Sequence, residues 1–265
     1  MALEASEPSR PLAVLWQGED CVAIHKPAGW LVHRTGLDAG ETRFVVQTLR
    51  DQLGQPVYPV HRLDKGTSGV LIMALSTVAA RRLSSQFERR EVHKRYVAMV
   101  RGWPPGAVRV DHPLRPDDAP SDSPAQDAVT DFRLLAQCAL EVPVDRYPQT
   151  RVALVEALPV TGRRHQIRRH LKHLAHPIIG DATHGKGAHN RWWAERLGVQ
   201  RLWLHALSLS LPHPVEPGGW LHIASPLSSP DLNGDWQSLL GAEPWQWLSD
   251  TSRADLMVGR VADAG

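Results

Sequence analysis

Apolar residues in this chain come mostly in short runs broken by polar or glycine-bearing segments, and only a few stretches repeat at helical spacing. Leu12 to Trp16 and Cys21 to His25 flank Gln17-Gly18-Glu19-Asp20, which is the pattern of a β-hairpin. Lys26 to His33 reads as a turn entering an extended segment. After Thr42, placed as a cap, Val45, Val46, Leu49 and Leu53 recur with helical period until Gly54 stops them. Val70 to Leu75 is an unbroken apolar run and reads as a buried strand. Ser76 or Thr77 then opens a helix with Ala79, Leu83 and Phe87 inward and Arg81, Arg82, Arg89 and Arg90 outward. Lys94 to Val100 alternates like a half-buried strand. Further strands are expected at Ala128 to Leu135, Arg151 to Leu158 and Arg201 to Leu209. Residues 104–127 hold six prolines and several acids without period, as a long surface excursion would. Residues 1–10 look like a disordered leader. Beyond Pro226 the chain turns polar, with Leu239, Trp245 and Trp247 as anchors for a terminal helix. Hairpins outnumber crossovers, which predicts an α+β domain with a largely antiparallel sheet.

Bulk composition narrows the function only by exclusion. The 265 residues suffice for one large domain or two small ones, and 42% hydrophobic with 22% charged residues is ordinary for a globular chain. The net charge of +2 is too small for a polybasic arm, so any basic function requires charges clustered on one face. Cys21 and Cys138 are too few for a disulfide framework or a cysteine zinc site. No apolar run is long enough to span a bilayer, and the first residues are polar, so a reducing cytoplasm is the expected location.

Two stretches carry candidate chemistry. His61-Arg62-Leu63-Asp64-Lys65-Gly66-Thr67-Ser68-Gly69 sets one carboxylate between a cation and a small-residue turn just before a buried strand. A functional loop and a surface turn capped by Asp64 fit those nine residues equally well. Thr161 to Leu174 reads as a basic helix with Ile167, Leu171 and Leu174 on one face and Arg164, Arg168 and Lys172 along its flank. With Arg163 and Arg169 it packs five cations into ten residues and no acid, a surface suited to phosphates. His165, His173 and His176 could nearly share a face, but the surrounding arginines and the shortage of carboxylates argue against a metal. Asn190-Arg191-Trp192-Trp193 fits base stacking and core packing equally. A second acid for glycoside hydrolysis, a GxSxG elbow and a P-loop are all missing.

His61-Arg62-Leu63-Asp64-x-x-Thr67-Ser68-Gly69 resembles the catalytic signature of the RluA family of pseudouridine synthases. Lys94-Arg95-Tyr96 is similar to that family's second motif. Thr161-Gly162-Arg163-x-His165-Gln166-Ile167-Arg168-x-His170-Leu171 matches its third, which His176-Pro177-Ile178-x-Gly180-Asp181 continues. Leu202-x-Leu204-His205-Ala206 resembles its last strand. Trp30-Leu31-Val32-His33-Arg34, Gln47-Thr48-x-Arg50-Asp51-Gln52, Arg146-Tyr147-Pro148, Gly180-Asp181-x-x-His184-Gly185 and Asn190-Arg191 point within the family to the tRNA-specific TruC group.

The resemblance implies a mixed, mainly antiparallel sheet in two halves around a central cleft, with helices on the outer faces. It implies a catalytic domain over residues 11–227, no separate S4 domain, and a C-terminal extension over 228–265. It further implies that a flipped uridine of RNA is detached from its ribose, rotated and rejoined through C5, without cofactor or metal. The implied substrate is uridine 65 in the T-stem of tRNA, handled by a monomer. Asp64 would start glycosidic cleavage, Arg168 would pair with it, and Tyr96 would stack on the base and take part in removing the C5 proton. Arg62, His61, Ile167 and Leu204 would shape the pocket, while Arg163, Arg164 and Lys172 would hold RNA. Lys65 and Gly66 fall at the motif's variable positions and are expected to be incidental. An rRNA-modifying relative, a silent RNA-binding module and a glycosidase releasing free uracil remain as alternatives.

Overall fold

The first two apolar runs pair as expected: β1 (Val14–Gln17) lies antiparallel on β2 (Cys21–Lys26). The computed structural model describes residues 11–33, 42–117, 119–120, 122–216 and 218–259, so the leader at 1–10 and Arg34 lie outside the described residues. All six residues of β2 are buried, because it sits inside the sheet between β1 and β4 (Ser68–Ala74), which is equally buried. The short β3 (Tyr58–Pro59) also pairs with β4.

The apolar runs that follow build the other half. β5 (His93–Arg101) runs antiparallel to β8 (Thr150–Pro159), and β8 to β7 (Val129–Leu140). β9 (Leu204–Pro212) closes the gap, antiparallel to β5 and parallel to β4. Among the described residues, the β4–β9 contact is the one parallel pairing of an eleven-stranded sheet. This seam has a steric reason. Ser68 and Gly69 stand opposite His205 and Ala206, Gly69 has φ +110°, and a Cβ on it would fall 2.1 Å from the Ala206 carbonyl oxygen. Only glycine lets the two strands approach this closely.

Local physics sets the helices. α1 (Val45–Leu53) buries Val45 and Leu49 and ends on Gly54 in the left-handed region. Phe44, not Thr42, stands at its cap position, so the expected cap is displaced by two residues. α2 (Thr77–Glu88) starts on Ser76, whose side chain accepts from the Ala79 amide. α3 (Gln166–His173) is shorter than its apolar spacing suggested. His165 adopts φ 54°, which breaks helical geometry and leaves Arg163 and Arg164 in the preceding turn.

Several segments differ from expectation for tertiary reasons. β5 is buried continuously from Arg95 to Val100, because both its neighbours and both its faces are covered. The proline-rich 104–127 contains β6 (Ala107–Asp111), an edge strand on β7. α4 (Gly187–Leu197) fills with Trp193, which is fully buried, so that tryptophan belongs to the core. β10 (Trp220–Ala224) extends β9. Beyond it, α5 (Pro230–Ala242) buries Trp236 and Leu239, and β11 (Gln246–Trp247) adds to β7. α6 (Asp250–Val258) contributes Leu256 to the same core. No helix among the described residues is long and apolar enough to cross a membrane.

Candidate active site

Asp64 opens a tight turn: its carbonyl accepts from the Thr67 amide at 3.0 Å, while its side chain lines the cleft. The turn is held from below by Lys26, whose side chain is entirely buried at the end of β2. Its Nζ donates to the carbonyls of Pro27 (2.9 Å), Lys65 (3.1 Å) and Thr67 (2.7 Å). Burial pushes the Lys26 ammonium down to about 7, with Asp64 pulling it up and Arg201 pushing it further down. At Lys65 the turn uses a backbone carbonyl, which any residue supplies, whereas Gly66 is not incidental. The Lys65 carbonyl also accepts from Gly29, and a Cβ on Gly66 would come within 2.9 Å of Leu202 Cβ.

Behind the turn, Arg201 Nη2 donates to Ser68 Oγ at 2.7 Å, and Ser68 Oγ lies 2.9 Å from His205 Nδ1. His205 Nε2 is 2.8 Å from the Ser225 carbonyl and therefore carries the proton. Burial pushes His205 down to about 3, so the ring is neutral and joins the Asp64 loop to β9 as a rigid prop.

Arg168 reaches Asp64 from α3, with Nη1 3.0 Å from Asp64 Oδ2. It is no phosphate hook on an accessible flank, because it is buried and clamped on its other side. Nε and Nη2 donate to Asp181 Oδ2 and Oδ1 at 2.7 and 2.8 Å. Asp181 Oδ1 also accepts from the amides of Thr183 and His184. Burial alone would raise Asp181, yet the Arg168 fork and those amides outweigh it and hold the carboxyl below its ordinary value. The guanidinium is thus fixed in position before it meets Asp64.

Tyr96 is buried on β5 and lines the same cleft of about 450 Å³. Burial, and then the charge of Asp64, push its phenol well above the usual range. At neutral pH it is a neutral ring and hydroxyl, fit to stack and to relay a proton but not present as phenolate. Lys94 lines the cleft too, donating to the Thr161 carbonyl at 3.2 Å, and burial followed by Arg90 lowers it to about 8.

Arg62, His61, Ile167, Leu204, Arg163 and Arg164 all line this cleft. His61 is also a wall, with Nε2 taking the Ile72 amide at 3.1 Å and the ring stacked 4.6 Å from Phe87. Lys172 is exposed further along α3 and does not line the cleft. The basic stretch, free of acids in sequence, is not free of them in space. Asp117, from the proline-rich excursion, lies 2.8 Å from His165, 3.2 Å from Arg169 and 3.8 Å from Arg164. Asn190 serves structure rather than a base: it accepts from the Gly180 amide and donates to the Asp181 carbonyl.

Sequence reasoning missed Lys26, Asp181 and Asp117 as site-building residues. The motif continuation through Asp181 was the one signal that could have found the clamp.

A family model described as RNA pseudouridylate synthase matches residues 20–173. The chain is 51% identical over 260 residues to tRNA pseudouridine synthase C of Salmonella typhi, covering 95% of this chain and 98% of that protein. It is 46% identical over 242 residues to tRNA pseudouridine synthase C of Vibrio cholerae, covering 89% and 97%. The solved structure of Human RNA Pseudouridylate Synthase Domain Containing 1 superposes with a TM-score of 0.70 at 23% identity, over 98% of both chains, which shows the same fold.

Proposed function

This chain belongs to the RNA pseudouridylate synthase family and is an RNA pseudouridine synthase, and from that premise we propose that it isomerises a uridine of tRNA, uridine 65 in the T-stem. The observation that carries the reading is the single carboxylate Asp64, held 3.0 Å from a prefixed Arg168 on the floor of a cleft walled by Tyr96.

Chemistry follows from that arrangement. The target uridine is flipped into the cleft, stacked on the neutral Tyr96 ring and bounded by Ile167 and Leu204. Asp64, held in place by its bond from Arg168, initiates cleavage of the N1–C1′ bond. The detached uracil turns within the cleft, the C5–C1′ bond forms, C5 loses its proton and N1 gains one. Substrate and product are isomers, so nothing else is consumed. Arg62, Arg163 and Arg164, at the mouth, face the phosphates on either side of the flipped nucleotide.

The test is to incubate the purified protein with full-length tRNA transcripts and with rRNA fragments and to map pseudouridine in each. Product at position 65 of tRNA, lost in Asp64→Asn while RNA binding persists, is expected. Product in rRNA alone, or release of free uracil, would overturn the assignment.

A further inference from the structure

Arg146-Tyr147 lies far from the cleft and takes no part in the chemistry above. The pair sits at the tip of the β7–β8 hairpin, where Val144 and Tyr147 exchange backbone hydrogen bonds and Asp145 is forced to φ 57°. That turn presents Arg146 to solvent and lays the Tyr147 ring between two arginines. The Arg101 and Arg146 guanidinium carbons are 5.5 and 5.3 Å from the ring centroid, and both donate to Tyr147 Oη, at 3.1 and 3.2 Å. Next to them, Arg151 lies 4.6 Å over Trp103.

Two features distinguish this corner from an ordinary solvated face. Several surface arginines elsewhere meet acids: Arg82 with Asp20, Arg89 with Glu91, Arg109 with Asp131. Among the described residues, Arg101, Arg146 and Arg151 are ion-paired with no carboxylate. Three cations packed together with Asp145 as their one neighbouring acid, and with no ion pair to it, still repel one another, a cost that a bound anion relieves. Second, His189 lies 5.9 Å from Tyr147, is 97% buried, and has no partner for either ring nitrogen. Arg101 Nε is buried and unpartnered as well. Buried polar atoms seldom go unsatisfied without a ligand or water.

The corner is also in register with the cleft. β5 carries Tyr96 near its middle and Arg101 at its end, and α3 carries Arg168 near its start and ends beside Ala175, whose carbonyl accepts from Arg101 Nη2. We propose that Arg101, Arg146 and Tyr147 form a second RNA-contact site, which grips a backbone phosphate of the substrate about 17 Å from the catalytic tyrosine, five residues along one strand. The site rests on the proposed tRNA reading and explains how a stem, and not only a nucleotide, is held.

The experiment compares the wild type with Arg146→Ala, an exposed substitution that leaves the fold intact. Dissociation constants for a full-length tRNA transcript are measured across potassium chloride concentrations, with pseudouridine yield followed in parallel. Arg146→Ala should weaken binding several-fold at low salt and reduce the slope of log Kd against log salt by about one. Arg50→Ala, which removes an arginine paired with Asp51 elsewhere, should keep the wild-type slope. A wild-type Kd and slope for Arg146→Ala overturns the site, even if the wild type makes pseudouridine. A wild type that binds tRNA without product overturns the assigned reaction, and the slope still judges the site.

Discussion

Two acids share Arg168, and replacing each by its amide should separate chemistry from stability. The Asp181 side chain is wholly buried and Arg168 nearly so, and their two hydrogen bonds, at 2.7 and 2.8 Å, are charge-assisted. In Asp181→Asn the amide cannot accept both; if Oδ1 keeps the Thr183 and His184 amides, its NH2 faces Arg168 Nε, donor against donor. A buried guanidinium that loses its main counter-charge costs about 3–5 kcal/mol. For a chain of this size that lowers Tm by about 10 °C. Asp64 is 21% exposed and makes one bond to Arg168, so Asp64→Asn should cost about 1 kcal/mol or less while abolishing turnover. Urea unfolding of both variants, with single-turnover pseudouridine formation on tRNA, checks the pair. The expected pattern is a stable, inactive Asp64→Asn and a destabilised Asp181→Asn with turnover reduced about tenfold or more, because Arg168 is no longer aimed. Equal stabilities, or a wild-type rate in Asp181→Asn, would refute the division of labour.

Acid should unfold the protein steeply. Burial pushes His25 down to about 4 and His61 and His205 down to about 3, so all three are neutral in the fold and charge near 6.5 only when unfolded. Their contribution is whole above that value and drains as pH falls, at up to about 1.4 kcal/mol per pH unit for each between roughly 6 and 4. Denaturant midpoints that stay flat from pH 6.5 to 4 would contradict this. Lys26→Met should strand the Pro27 and Thr67 carbonyls and leave the Lys65 carbonyl with Gly29 alone, costing about 2–4 kcal/mol and slowing turnover by loosening the Asp64 turn; unfolding and rate measurements that match the wild type would remove its positioning role. Gly69→Ala meets the Ala206 carbonyl at the seam between the sheet halves, and should lose several kcal/mol or fail to accumulate in soluble form. A well-folded, active Gly69→Ala would mean the seam can open without harm.

Much of this molecule was legible in one dimension. The β1–β2 hairpin, the unbroken strand after Asp64, the Ser76 cap and the Gly54 stop are local decisions, made by side-chain period and backbone freedom within a few residues. The motif order also announced that Asp64, Tyr96 and Arg168 would meet, and they line one cleft. What the chain could not show by itself is compensation at a distance. The basic stretch looked undischarged because its acids come from elsewhere: Asp181 stands 13 residues after Arg168 and Asp64 stands 104 before it. Lys26 binds carbonyls 39 and 41 residues away, and no period records such a bond. Burial changes the meaning of a residue in the same way. Arg168 reads as a cation on a helix flank, and Trp193 fits a stacking platform and a core equally, until neighbouring elements cover them. Periodicity is local, whereas desolvation and charge pairing are set by whatever the folded chain packs alongside, and so only the tertiary structure decided them.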